Sequence, residues 1–190
     1  MMLIEEMRKD NFSPEEFSKV LNESSHLDCL DWSRSLKQKE LKNLYDAYQN
    51  VHSISLETLL PSEDLPFKVV EHFGYNNLPL FRVFSKPMYR SGEGVIAGRN
   101  AQFWAFLTGP GYFTMHQASD NELLVDYTVL PQSKPDDWPV VTSNSRGLSF
   151  FVFRNLQDTL RAITDRITIG RASRAGKELP QYFILVRDAF

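Results

Sequence analysis

The chain predicts an α+β fold: N-terminal helices followed by a strongly curved antiparallel sheet or a closed β-barrel. Three observations lead there. Helical periodicity dominates roughly the first third of the chain. From Phe67 onward the residues fall into short extended runs, rich in aromatics and broken by Gly and Pro. Eight or nine such runs follow one another, and so many short strands avoid exposed edges most simply by curling.

Ser13-Pro14-Glu15-Glu16 has the order of a helix start. Ser13 caps, Pro14 suits the first turn, and Glu16 completes a capping box at the positive end of the dipole. Phe17, Val20 and Leu21 then make an apolar stripe. A longer helix is expected from about Leu36 to Asn50, with Ser35 as its cap. Its residues Leu41, Leu44, Tyr45 and Tyr48 share one face at i, i+3, i+4 and i+7. Residues 55–60 read as a short third helix stopped by Pro61.

The expected strands are 67–73, 80–89, 95–98, 101–108, 112–117, 122–130, 148–153, 166–173 and 181–187. Between the last two runs and the rest, Leu156, Leu160 and Ile163 are spaced as one face of a helix, with Asn155 as its cap. Gly109-Pro110-Gly111 and Ala118-Ser119-Asp120-Asn121 mark hairpin turns. RASRAGKEL (171–179) reads as a basic hairpin tip, and PQSKPDDWPVV (131–141) as a Pro-rich loop. The organisation is a helical segment, 1–66, and a barrel-like segment, 67–190, forming one structural unit.

The composition is that of an ordinary globular protein, with 42% hydrophobic and 24% charged residues and a formal net charge of −3. That balance argues against nucleic acid as the main partner. The single cysteine, Cys29, cannot form an intramolecular disulfide and reads as a structural thiol in a reducing compartment. MMLIEEMRKD turns acidic too early for a signal peptide, and no apolar run is long enough for a membrane span. A cytoplasmic protein is expected.

Few residues carry chemistry. GPGYFTMHQ (109–117) puts Tyr112, Thr114 and His116 on one strand face and Phe113 and Met115 on the other. If the first face looks inward, His116 meets a ligand or acts as a base near neutral pH. If the second does, His116 is exposed. Asp126 interrupts an apolar strand whose opposite face, Leu123, Val125, Tyr127 and Val129, is the core-facing set; a buried Asp126 needs a partner, with Arg171 and Arg187 as candidates. Trp104 sits mid-run beside Phe103 and Phe106. No zinc-binding spacing, GxSxG or phosphate loop occurs, so no cofactor or metal is expected.

DTLRAITDRITIGRASRAGKELPQYFILVRD, together with Val125-Asp126-Tyr127, resembles the closing segments of small bacterial lipocalin-like domains named for a GXWXG motif. The similarity covers about residues 80–190. Phe84-Ser85-Lys86-Pro87 keeps only the lysine that often follows that motif. The resemblance implies a lipocalin-like β-barrel and a small apolar ligand, and carries over no catalytic residue. The expected function is that of a binding protein whose site uses Trp104, Tyr112, His116, Asp126, Tyr127 and Arg171, with Arg171 answering an acidic group. Alternatives are an isomerase- or cyclase-type enzyme using His116 or Asp126, and an interaction module built on the acidic helices.

Overall fold

The computed structural model describes residues 2–78, 82–92, 94–101, 109–144 and 149–188. Five helices come first: α1 (Met2–Met7), α2 (Pro14–Glu23), α3 (His26–Ser35), α4 (Gln38–Ala47) and α5 (Leu56–Leu59). The strands are β1 (His72–Asn76), β2 (Val83–Ser85), β3 (Met88–Arg90), β4 (Ile96–Arg99), β5 (Tyr112–Ser119) and β6 (Glu122–Asp126), then, after α6 (Ser149–Phe153), β7 (Leu156–Ala162), β8 (Ile167–Arg174) and β9 (Lys177–Arg187). The fold is α+β.

Ser13 caps α2, its hydroxyl accepting from the Glu16 amide at 3.3 Å. The Glu16 carboxylate pairs with Lys19 instead of closing a capping box. Ser35 ends α3 and does not cap α4, whose start is held by the Glu40 carboxylate accepting from the Lys37 amide at 2.8 Å. Helix α3 was not expected. Its sequence signal was Ser25, three residues before Asp28, and the Ser25 hydroxyl accepts from the Asp28 amide at 3.1 Å.

Among the described residues, nine strands form one antiparallel sheet in the order β2-β1-β9-β8-β7-β6-β5-β4-β3. The two ends of that order, β2 and β3, are consecutive stretches of chain joined by Lys86-Pro87. Bridges Val70↔Met88 and Ser85↔Ala101 extend the pairing on either side of the bend. Within it, the Lys86 amide donates to His72 O and the Arg99 amide to Pro87 O. β2 and β3 therefore act as one bent strand between β1 and β4, and the sheet curls until it meets itself there. Pro87 sits where the strand changes partner, a place where a missing N–H disrupts little pairing.

Three cores result. The helices lay Phe17, Leu21, Trp32, Leu41, Leu44 and Tyr45 against the outer face of the sheet, on Tyr75, Ile167, Ile169, Tyr182, Ile184 and Val186. A smaller outer cluster joins Tyr89, Ala97, Tyr112 and Trp138. The concave side holds Phe84, Met88, Phe113, Met115, Leu123, Val125, Tyr127, Leu160 and Phe183. α5 stops one end of the curl: Ile54, Leu59 and Leu60 belong to this inner core. The Leu60 carbonyl accepts from Arg90, that of Thr58 from Arg187, and that of Ile54 from Gln117.

Three inward aromatics each lie across a glycine on the neighbouring strand. The register pairs Gly74 with Phe84, Gly98 with Phe113 and Gly170 with Phe183. A β-carbon at Gly170 would lie 2.3 Å from the Phe183 ring. Absent side chains on one strand thus admit rings from the next.

Two expectations are corrected. Residues 156–163 do not form a helix. Leu156, Leu160 and Ile163 fit helical spacing, but Leu156, Asp158, Leu160 and Ala162 alternate along the inner face of β7. Asn155 takes a left-handed conformation (φ 53°) after α6. Conversely, the expected strand at 148–153 includes α6. The expected strand 101–108 falls, apart from Ala101, outside the described residues. The basic hairpin at 171–179 is present, its turn residues Ala175 and Gly176 both at positive φ (51° and 76°) as a type I′ turn requires.

His72 is buried on β1, with Nδ1 3.2 Å from Val70 O and Nε2 without a partner. Burial pulls its pKa from the ordinary 6.5 down to about 4. The unfolded chain therefore binds a proton between pH 6.5 and 4 that the folded chain refuses, so stability falls as pH drops through that window, by about 3 kcal/mol in all. Urea unfolding at pH 7, 6 and 5 checks this. His72→Gln should flatten the pH dependence even if it lowers stability throughout; an unchanged slope assigns the effect to other groups.

Candidate functional site

Lys86 is a buried lysine: 2% of its surface is exposed. It lies at the bend between β2 and β3 and points into the concave side. Its Nζ donates to Asp158 Oδ2 at 2.5 Å and to Tyr127 Oη at 2.9 Å. The rings of Phe183, Tyr127 and Phe113 surround it, with centroids at 4.6, 5.2 and 5.4 Å. Asp158 comes from β7 and is itself buried. Tyr127 directly follows β6 and stacks on Phe153 of α6 at 5.3 Å.

Electrostatics follow from this enclosure. Burial pushes the Lys86 ammonium below its usual range, and Asp158 offsets part of that shift. Burial, and then the Asp158 carboxylate, push the Tyr127 phenol well above its ordinary value, so it stays a neutral donor and acceptor.

The cluster forms one wall of a cavity of about 310 Å³. Phe84, Val152, Phe153, Leu156, Ala172 and Phe183 supply apolar lining, and Asn76, Asn77, Asn100, Gln181 and Arg174 supply polar lining. α5 stops the far end, so the cavity belongs to the end where β1, β6 and β8 finish and β7 begins. This arrangement can hold an apolar body and hydrogen-bond a polar end.

Of the six residues expected at a site, Tyr127 lines this cavity. The other described ones are placed elsewhere. Tyr112 is buried on the outer face, its hydroxyl donating to Pro139 O at 2.5 Å. Phe113 and Met115 take the inward positions of β5, and His116 is exposed. Asp126 is buried facing outward. Its Oδ1 accepts from the Thr128 amide and hydroxyl at 2.7 and 2.6 Å, and its Oδ2 from Gln157 at 3.0 Å. Burial pushes its pKa up, but these bonds outweigh burial and leave it lowered. Neither arginine considered for it is its partner: Arg187 donates to Thr58 O, and Arg171 binds Glu178 and Leu179 O. Trp104 lies outside the described residues. Lys86 and Asp158 are the functional candidates that sequence reasoning missed. A lysine beside a proline within an aromatic run was the available signal.

A second polar cluster has the composition of a nucleophilic pair. Ser18 Oγ lies 2.9 Å from His52 Nε2. It also lies 2.7 Å from Ile163 O and 3.0 Å from Tyr48 Oη. Carbonyls only accept, and Ser18 Oγ also lies 2.9 Å from Pro14 O, so its one proton is shared between the Ile163 and Pro14 carbonyls; Tyr48 donates to Pro14 O at 2.8 Å. With two main-chain carbonyls competing for its proton, Ser18 is held as a packing hydroxyl rather than aimed as a nucleophile. The cluster ties α2 to the end of β7. Cys29 is equally unsuited to attack: it is buried, burial raises its pKa, and its thiol points to Leu21 O.

No protein-family model, curated protein or solved structure matches this chain. Among the described residues no helix is long and apolar enough to cross a membrane, and no group of three or more His, Cys, Asp or Glu is placed to hold a metal ion.

Replacing Lys86 alone should strand Asp158 as a buried charge. Lys86→Met is expected to cost about 3–5 kcal/mol, and Lys86→Met with Asp158→Leu should recover most of that loss. Urea denaturation of the two single variants and the double variant measures the coupling. Additive losses would mean that the two groups do not share a buried bond.

Proposed function

We propose that the protein binds a small, mainly apolar molecule in this cavity, with a lipocalin-like mode of enclosure. The observation that carries the reading is the pairing of aromatic and aliphatic walls with a satisfied, water-excluded Lys86–Asp158–Tyr127 cluster. Apolar walls reward burial at about 25 cal/mol per Å² removed from water, and a few fixed polar groups set orientation. The meander of antiparallel strands meeting itself at the bend supports the comparison with calycin-type barrels, in which about eight strands leave room for one small ligand.

An enzyme working through His116 or Asp126 is less well supported, because neither lines the cavity. A partner-docking role for the N-terminal helices would have to use their polar faces. Their apolar stripes already cover the sheet.

The neutral fluorophore N-phenyl-1-naphthylamine tests the reading. It should bind saturably at one site per chain with enhanced emission. Ala172→Phe, which fills the cavity from β8, should weaken binding at least tenfold while leaving the urea midpoint near that of the parent. Equal binding by the filled variant would place the probe elsewhere and remove the proposal. Native mass spectrometry of the purified protein adds a direct search for a co-purifying molecule.

A further inference from the structure

Lys86 is a primary amine set in the wall of the cavity, with Asp158 and Tyr127 in the same lining. An exposed lysine keeps its proton near neutral pH and is a poor nucleophile. Here burial disfavours the ammonium and Asp158 favours it, so the proton between them answers two opposed demands. Asp158 Oδ2, at 2.5 Å, is placed to take that proton and leave a neutral amine. A desolvated amine beside a proton acceptor is what imine formation with a carbonyl compound needs.

Tyr127 meets the second need, a donor for the carbonyl oxygen. Its Oη accepts from Lys86 Nζ at 2.9 Å. Burial keeps the phenol protonated. Among the described residues that proton has one acceptor, Asp158 Oδ2 at 3.5 Å, which is long for an O–H bond, so it can turn to a ligand oxygen. An aldehyde oxygen held there can bring its carbon within about 3–3.5 Å of the neighbouring amine, close enough for attack. The rings of Phe183 and Phe113, with centroids 4.6 and 5.4 Å from Nζ, narrow the approach. An aldehyde, whose second substituent is hydrogen, suits that space better than a ketone.

We propose that Lys86 forms an imine with an apolar aldehyde, Tyr127 donating to the carbonyl oxygen and Asp158 holding the proton that leaves and returns. This rests on the cavity being a binding site and adds the reacting group of its ligand. The ammonium passes one proton to Asp158. The neutral amine adds its lone pair to the carbonyl carbon, and the oxygen takes the Tyr127 proton. The nitrogen, now positively charged, returns a proton to the phenolate, leaving a neutral carbinolamine. Protonated Asp158 gives its proton to the carbinolamine hydroxyl, the C–O bond breaks, and water leaves as the nitrogen lone pair closes the C=N bond. Ammonium and aldehyde become iminium and water without change of charge, so the iminium N–H still faces the Asp158 carboxylate. The apolar body of the ligand then lies against Phe84, Phe153 and Leu156.

Octanal with sodium cyanoborohydride near neutral pH tests the proposal, because the hydride converts an imine to a stable secondary amine. Peptide mapping by mass spectrometry compares Lys86 with an exposed lysine of the same sample, Lys177 at the start of β9. Lys86 should be octylated at least tenfold faster than Lys177. Excess N-phenyl-1-naphthylamine should protect Lys86 and leave Lys177 unaffected, a control that needs no substitution. Tyr127→Phe should slow labelling of Lys86 at least tenfold, again with Lys177 unaffected. Lys86 labelled no faster than Lys177 in protein that binds the probe, or labelled at the parent rate in the presence of the probe or in Tyr127→Phe, would overturn the proposal while the cavity reading stands. If the probe fails to bind, or binds Ala172→Phe equally well, both fall together.

Discussion

The Lys86–Asp158 bond constrains the whole curl of the sheet. β7, which carries Asp158, is the middle strand of the order, four strands from either end. Lys86 lies where the two ends meet. In a flat sheet those positions would be separated by about 19 Å, four strand spacings. A 2.5 Å contact between their side chains requires a wall bent back on itself. The pair is expensive to bury, and it persists because Tyr127 and the surrounding rings complete the lysine's environment. Its weight is therefore better read as specificity than as net stability.

Bending a sheet so tightly leaves little room inside, and the residues respond in pairs. Phe84, Phe113 and Phe183 fill the interior by lying over Gly74, Gly98 and Gly170. Two of these rings, Phe113 and Phe183, face the lysine. α5 and the residues flanking it fill the other end with Ile54, Leu59 and Leu60. The outer face is covered by helices on one side and by the Trp138 loop on the other. With so much of the sheet covered on both faces, the open space that remains at the Tyr127 end gains its polar and apolar lining from named, fixed side chains.

Much of the alternation was legible. Leu123, Val125 and Tyr127 face the core, as period two demands, and Tyr127 reaches the cavity. On β5 both faces were readable as sets, but which set turned inward depended on the packing of Phe113 and Met115. Arg171 and Arg174 show the same limit. Both belong to one basic hairpin, yet a register shift between Arg171 and Ser173 and the pleat send Arg171 to Glu178 and Arg174 to the cavity. Asp158 misled most. A carboxylate on the inner face broke the apolar alternation of β7, leaving Leu156, Leu160 and Ile163 to suggest a helix. The local pattern failed at the residue with the least ordinary environment.

Local chemistry by itself determined the α+β class, the helix starts at Ser13 and Ser25, the hairpin turns at Asp120-Asn121 and Ala175-Gly176 and the two-faced strands. Each depends on residues a few positions apart: a cap and its amide, a turn and its φ angles, a pleat and its period. Only the tertiary structure decided that Lys86 and Asp158, 72 residues apart, would meet, that aromatic rings would settle over glycines, and which arginine would face the cavity. Those outcomes depend on strand register and closure of the curl, which are set by the joint packing of distant strands. The nature of a lysine is written in the chain, but its loss of water is a property of everything folded around it.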